Sequence, residues 1–245
     1  MSEAASPDRA SAARTASILE HLVELRQRLF KASVGLVIGF SIAFIFYQRL
    51  FELIAGPYLE VFPDGNLQAI RAAEPFSVAV RVAGFGGFVL ASPIIFYQLW
   101  AFVAPGLTKR ERRWTVPIVA ALVTLFTTGV VFAFSLLPRA LEVLGGFLDV
   151  TYEPAIGEYV TFALRFLLVF GLTFEFPVFL FAGAAAGFVT SARLRSGRRW
   201  AVLIIVIVSA AATPTGDAFT LFLLAGPLYA LYEVTILLIR LILRK

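Results

Sequence analysis

Apolar positions along this chain run in long blocks. Ala32–Tyr47, Val82–Val103, Thr115–Leu137, Phe166–Val189, Ala201–Thr213 and Ala218–Ile239 are almost wholly apolar, and charged or turn-forming residues separate them. About 20 apolar residues in a helix cross the roughly 30 Å of hydrocarbon in a bilayer. The pattern therefore predicts an all-α integral membrane protein with six transmembrane helices. The last two helices are expected to be short: the fifth block has thirteen residues, and Glu233 leaves fifteen in the sixth, Ala218–Tyr232, before its first charge. Either the bilayer thins around this pair or the two form a re-entrant hairpin. Basic residues flank both ends of the pair, so charge does not separate these cases.

Ahead of the first block, Ile18–Phe30 places Leu19, Leu22, Leu25 and Leu29 at helical spacing, which predicts an amphipathic helix lying at the membrane interface. Residues 1–17 are small, polar and of mixed charge, without an apolar h-region. They read as a disordered cytoplasmic tail ahead of one six-helix domain over residues 18–245. Pro93, Pro177 and Pro227 fall inside blocks and predict bends, and Gly35–Gly39 and Gly183–Gly187 both match the GxxxG spacing of close helix packing.

Sixty per cent of the 245 residues are hydrophobic and 15% are charged, which fits a membrane chain and not a soluble globule. With no cysteine and one histidine, thiolate chemistry, disulfides and clustered metal ligands are excluded, and no phosphate-cradling glycine motif occurs. No cofactor and no enzymatic activity are expected. Sixteen of the 21 Lys and Arg precede the first block, separate the second from the third and the fourth from the fifth, or end the chain. Alternate loops are poor in cations, and the two long ones, near 48–77 and 138–158, are acidic and proline-broken. The positive-inside rule then puts both termini in the cytoplasm, with short helical caps outside; the excess of positive charge marks topology, not nucleic-acid binding.

Candidate chemistry is confined to a few ionisable groups. Glu24 is either a binding carboxylate or the partner of Arg28 one turn on. Glu111 sits among the cations of KRERR (Lys109–Arg113), a topology-setting loop or a recognition site. Glu175, in GLTFEFPVF, is an acid inside an apolar block, costly enough that a functional role and a structural hydrogen bond stand level. With little water there, it is expected to be neutral or hydrogen-bonded across the bundle. Glu233 either snorkels or pairs with a nearby cation, and Asp217 reads as a turn residue capping the sixth helix.

Six segments, HLVELRQRL (21–29), EPF (74–76), SPIIFYQLWAFVAPGLTKRERR (92–113), FGLTFEFPV (170–178), ATPTGD (212–217) and GPLYALYE (226–233), together resemble the TatC family, the polytopic receptor subunit of the twin-arginine protein translocase. The resemblance implies a concave, glove-like arrangement of the six helices in the cytoplasmic (inner) membrane of a prokaryote. It implies binding of twin-arginine signal peptides of folded cargo at the cytoplasmic face, with transport driven by the protonmotive force. Glu24 and Glu111, with Arg26 and His21 beside them, would form the signal-peptide patch, and Glu175 an intramembrane polar site. Thr213, Asp217, Pro57, Phe102 and Glu233 would serve partner contact or structure. Single-span TatA- and TatB-like subunits, the lipid bilayer and further copies of the chain are the implied partners. Carboxylates suit the task, because a guanidinium is permanently charged and forms forked hydrogen bonds with them. The residues alone also permit a small proton- or ion-coupled transporter using Glu175, or, less readily, a lipid-modifying membrane enzyme.

Overall fold

Among the described residues the apolar blocks fold as helix, with one break inside the fourth. The computed structural model describes residues 7–103, 115–146, 154–185, 187–212 and 218–243. Within these, α1 spans Pro7–Ile45, α2 Tyr47–Val61, α3 Glu74–Val103, α4 Thr115–Gly145, α5 Ile156–Thr173, α6 Phe176–Ala185, α7 Ser191–Ser196, α8 Arg198–Ala212 and α9 Ala218–Leu238, followed by a π-helical turn, Ile239–Leu243. The helices α1, α3, α4, α5 with α6, α8 and α9 are the six spans.

The segment 18–30 does not form a separate surface helix. It is continuous with the first span, because no Gly, Pro or turn residue interrupts the chain between Phe30 and Gly35. The same helix already begins at Pro7, inside the stretch read as a disordered tail, where alanines favour helix and a proline suits the first turn. Span boundaries also differ from the hydropathy blocks. Helix α3 starts eight residues before Val82, α4 continues past Pro138, and α5 starts ten residues before Phe166.

The three intrablock prolines act differently. Pro93 and Pro227 lie within unbroken helices, whereas Pro177 follows a break at Phe174–Glu175 that separates α5 from α6. The fifth span, α8, has 15 residues and reaches about 23 Å. The sixth keeps its helical backbone through Glu233 to Leu243, since that charge is paired locally.

Close approach of α1 and α3 comes from glycine. A Cβ on Gly39 would lie 2.5 Å from the Gly87 carbonyl oxygen, and one on Gly87 2.5 Å from the Phe40 Cα. Gly35 likewise faces Ile94. Without a hydrophobic driving force between spans in lipid, such backbone proximity supplies van der Waals contact. The second GxxxG match does something else: Gly187 (φ 82°) ends α6, with its N–H on the Ala184 carbonyl and the Phe188 N–H on that of Gly183, a Schellman ending.

One end of the bundle is capped by α2 and the chain on either side of it. The Tyr159 hydroxyl of α5 donates to the Ile54 carbonyl (2.5 Å), Tyr58 packs on Tyr159, and the Ile156 N–H donates to Gln68 (2.9 Å). Helix α2 is the short cap expected from the first acidic loop, and Pro57 is buried in it. Two apolar clusters fill the bundle, one around Tyr58, Leu137, Tyr159, Phe166 and Phe170, the other around Phe96, Trp100, Leu122 and Phe126.

Candidate functional site

On α1, His21, Glu24 and Arg28 recur at three- and four-residue spacing and so share a face. That face meets the end of α3. The His21 ring stacks on Phe102 with centroids 4.3 Å apart, and Arg28 donates to Gln98 (3.3 Å) and to Glu24 (3.2 Å). Phe102 thus anchors α1. Glu24 and Arg28 are both half-buried, and the bond between them engages one carboxylate oxygen of Glu24. Arg28 approaches end-on and not as a two-bond fork, so the carboxylate keeps capacity for a second guanidinium. Arg26 is exposed and makes no hydrogen bond among the described residues. Glu111 lies outside the described residues, as do Thr213 and Asp217. The chain leaves α3 at Val103, directly after Phe102, on its way to Glu111.

Glu175 occupies the break between α5 and α6. Phe174 ends α5, the Glu175 N–H donates to Leu172 (3.1 Å), and the Glu175 carbonyl accepts from Val178 (3.0 Å). The side chain is 2% exposed, and neither carboxylate oxygen has a hydrogen-bond partner among the described residues. The sequence allows a neutral acid or one bonded across the bundle; no bond of full hydrogen-bonding geometry is seen among the described residues, although the Phe126 backbone of α4 comes near the carboxylate. Two glycines explain the depth of burial. A Cβ on Gly129 of α4 would lie 2.8 Å from the Phe170 carbonyl oxygen, and one on Gly171 of α5 2.7 Å from the Phe126 ring. The two helices close on each other at the level of the acid. A buried polar group without a partner carries a desolvation cost of about 1–3 kcal/mol, which native structures keep at functional points.

Glu233 takes the pairing role. Arg198 at the start of α8 grips it through Nε (2.7 Å) and Nη2 (2.8 Å), and the Tyr229 hydroxyl adds a third bond (2.9 Å). The Tyr232 hydroxyl donates to Leu194 (2.8 Å), so α9 is tied to α7 and α8 at the arginine-rich end.

Glu74 has a structural role that its motif alone does not disclose. Its carboxylate accepts from the N–H groups of Ile70 (2.7 Å), Arg71 (3.1 Å) and, across the bundle, Gly157 (2.9 Å). An acid directly before proline at a helix start was the available signal. Arg165 is the tenth residue of α5 and is exposed there, within the span and not in a loop.

Residues 20–227 match the family model of the Sec-independent protein translocase protein TatC. The chain belongs to the TatC family. It is 37% identical over 235 residues to the TatC of Deinococcus radiodurans, covering 92% of this chain and 86% of that one. With the TatC of Aquifex aeolicus the identity is 36%, covering 93% and 96%. The fold superposes on a crystal structure of the twin-arginine translocase receptor TatC in DDM with a TM-score of 0.80 at 34% identity, covering 90% of this chain and all of that one. A second TatC crystal structure gives 0.77 at 36%. This TatC chain is a component of a protein translocase and not an enzyme, and the transporter and lipid-enzyme readings fall away.

Proposed function

We propose that this TatC chain receives twin-arginine signal peptides of folded proteins at the end of the bundle where α1 meets α3. The carrying observation is Glu24, half-buried, bonded to Arg28 through one oxygen and held on the face of α1 that packs against the end of α3, the helix that precedes Glu111 in the sequence. A signal-peptide guanidinium would take the second oxygen of Glu24, and a neighbouring one would take Glu111. Arg26 and Arg28 discourage general binding of basic peptides, so a guanidinium is admitted only where a carboxylate meets it. The arginine-rich end faces the cytoplasm in this reading, both termini are cytoplasmic, and residues 18–245 act as one domain of the inner membrane. Glu175, a polar point inside the wall, would receive a polar residue from a single-span TatA- or TatB-like helix. Thr213 and Asp217, which fall between α8 and α9 in the sequence, would border that helix, and further copies of the chain would complete the assembly.

The test is peptide binding to the purified chain. Glu24→Gln and Glu111→Gln should each weaken a twin-arginine peptide by about tenfold or more, the size of one charge-assisted bond of roughly 1.5–3 kcal/mol. A twin-lysine peptide should bind weakly to every form. Wild-type affinity and salt dependence in both Gln variants would remove the patch from consideration.

A further inference from the structure

A second charged site lies at the opposite, capped end. Arg81 of α3 and Arg165 of α5 line one cavity of about 600 Å³ together with Arg71, Glu74, Ser77 and Thr161. Arg81 Nη1 donates to the Thr161 hydroxyl (2.5 Å) and to the Gly157 carbonyl (3.3 Å), which holds its guanidinium against α5. Thr161 and Arg165 are one turn apart on the same helix face, so the Arg165 side chain springs from beside that guanidinium. Arg165 is exposed and makes no hydrogen bond or ion pair among the described residues. Glu74 and Glu158 also line the cavity, but neither forms an ion pair with Arg81 or Arg165 among the described residues; the Glu74 carboxylate accepts from three backbone N–H groups instead, and three lining arginines against two carboxylates leave the cavity net positive.

Depth identifies what meets these cations. Helix α3 has 30 residues, about 45 Å, and α5 with α6 covers 30 more, Ile156–Ala185, with one break, against roughly 30 Å of hydrocarbon. The excess leaves about five residues at each end in the headgroup layer. Arg81 lies seven residues beyond Glu74 and Arg165 nine beyond Ile156. Both therefore enter the hydrocarbon by about one turn or less, within snorkelling reach of the phosphate layer. An unpaired arginine on the lipid side of a span is costly unless an anion meets it, and paired guanidinium forks match the oxygens of a phosphate.

We propose that this cavity binds the phosphate of an anionic phospholipid headgroup from the leaflet at the capped end. Arg165 and Arg81 grip the oxygens, Thr161 orients Arg81, and the acyl chains run down the apolar wall beside Phe162. The site is independent of the signal-peptide patch and lies at the other end of the bundle.

Native mass spectrometry of the full chain in detergent tests it, with phosphatidylglycerol as probe, diacylglycerol as a phosphate-free control and inorganic phosphate as a free-anion competitor. Phosphatidylglycerol should be retained and diacylglycerol lost. Arg165→Gln and Arg81→Gln should each reduce retention about tenfold, Arg165→Lys should fall between, and Arg139→Gln, which removes an exposed arginine paired with Glu142 elsewhere, should change nothing. Thermal unfolding of each variant confirms that it is folded. Equal retention of the two lipids, or wild-type retention by both Gln variants, overturns the proposal. Displacement of phosphatidylglycerol by millimolar inorganic phosphate would overturn the lipid assignment in favour of a free anion.

Discussion

Gly129 on α4 and Phe174 at the end of α5 are packed so closely that a Cβ on the glycine would lie 2.9 Å from the Phe174 Cβ. The same Cβ would meet the Phe170 carbonyl oxygen at 2.8 Å, and backbone cannot yield as a side-chain tip can. Gly129→Ala should therefore destabilise the chain in detergent by about 1–3 kcal/mol, the usual cost of overpacking. Gly56→Ala is the control, because a Cβ there meets nothing within 4 Å. It should be neutral or stabilising by up to about 1 kcal/mol. Equal shifts for the two in a thermal or denaturant series would show that α4 and α5 are not in this close register.

The packing that Gly129 permits also buries Glu175, and stability and transport should part company there. Replacing the unpartnered acid with Met removes a desolvated polar group while keeping similar volume. Glu175→Met should raise unfolding stability by about 1–3 kcal/mol and impair transport. Glu175→Gln keeps hydrogen-bonding capacity and should retain most transport. Full transport in Glu175→Met would reduce the residue to packing, and loss in Gln alone would point to a required negative charge.

Glu175 also shows what the sequence can and cannot carry. Its cost is legible from one acid in an apolar block, and the helix break follows from Pro177. Its depth of burial depends on Gly129, 46 residues away, which nothing local to the acid reveals. The six spans were legible because hydropathy is additive along a chain. Their ends were not, because Arg81 and Arg165 interrupt the apolar pattern while the helix continues. Of two GxxxG matches, only Gly35–Gly39 finds a facing glycine, Gly87; the other lies at a helix end. Spacing alone cannot report what lies across the interface. The patch of His21, Glu24 and Arg28 was legible as residue types, yet the His21–Phe102 stack that fixes α1 against α3 joins residues 81 apart.

At the arginine-rich end, the two bonds between Arg198 and Glu233 hold α8 to α9. Arg198→Lys keeps the charge but cannot reproduce the fork, so it should loosen the hairpin nearly as much as Arg198→Ala. A double-mutant cycle with Glu233→Gln checks the assignment: the paired variant should be little worse than either single one. Additive losses would mean that each residue acts through other contacts. Because both groups are partly exposed, the effect should be smaller than that of Gly129→Ala and should shrink at high salt.

Gly157 and Glu74 form a comparable unit at the capped end. A Cβ at position 157 would lie 2.5 Å from the Glu74 Oε1, so Gly157→Ala must push that carboxylate off the N–H it accepts from. The carboxylate is a flexible tip and can move, which predicts loss of the bond without collapse of the helix. Both Gly157→Ala and Glu74→Gln should then speed protease cleavage in the segment 62–73, and the double variant should be cleaved no faster than the more affected single one. Cleavage that multiplies in the double variant would separate the two residues.

Membrane orientation is open to direct labelling, because the chain contains no cysteine to remove. Asn66 is exposed in the capped end and Arg195 is exposed in α7 at the other, so a cysteine at either should leave the fold intact. Position 65, though nearby, is a poor choice, since a Cβ on Gly65 would come within 2.7 Å of the Tyr58 hydroxyl. Sixteen of the 21 Lys and Arg fall before the first block, in alternate segments between blocks or at the end of the chain, so the positive-inside rule predicts that the end carrying Arg193, Arg195 and Arg198 faces the cytoplasm. A membrane-impermeant maleimide added to intact cells should label Asn66→Cys within minutes and leave Arg195→Cys untouched until the membrane is permeabilised. The reverse pattern would invert the bundle, put Glu24 on the outside and end its candidacy as a receptor for peptides arriving from the cytoplasm.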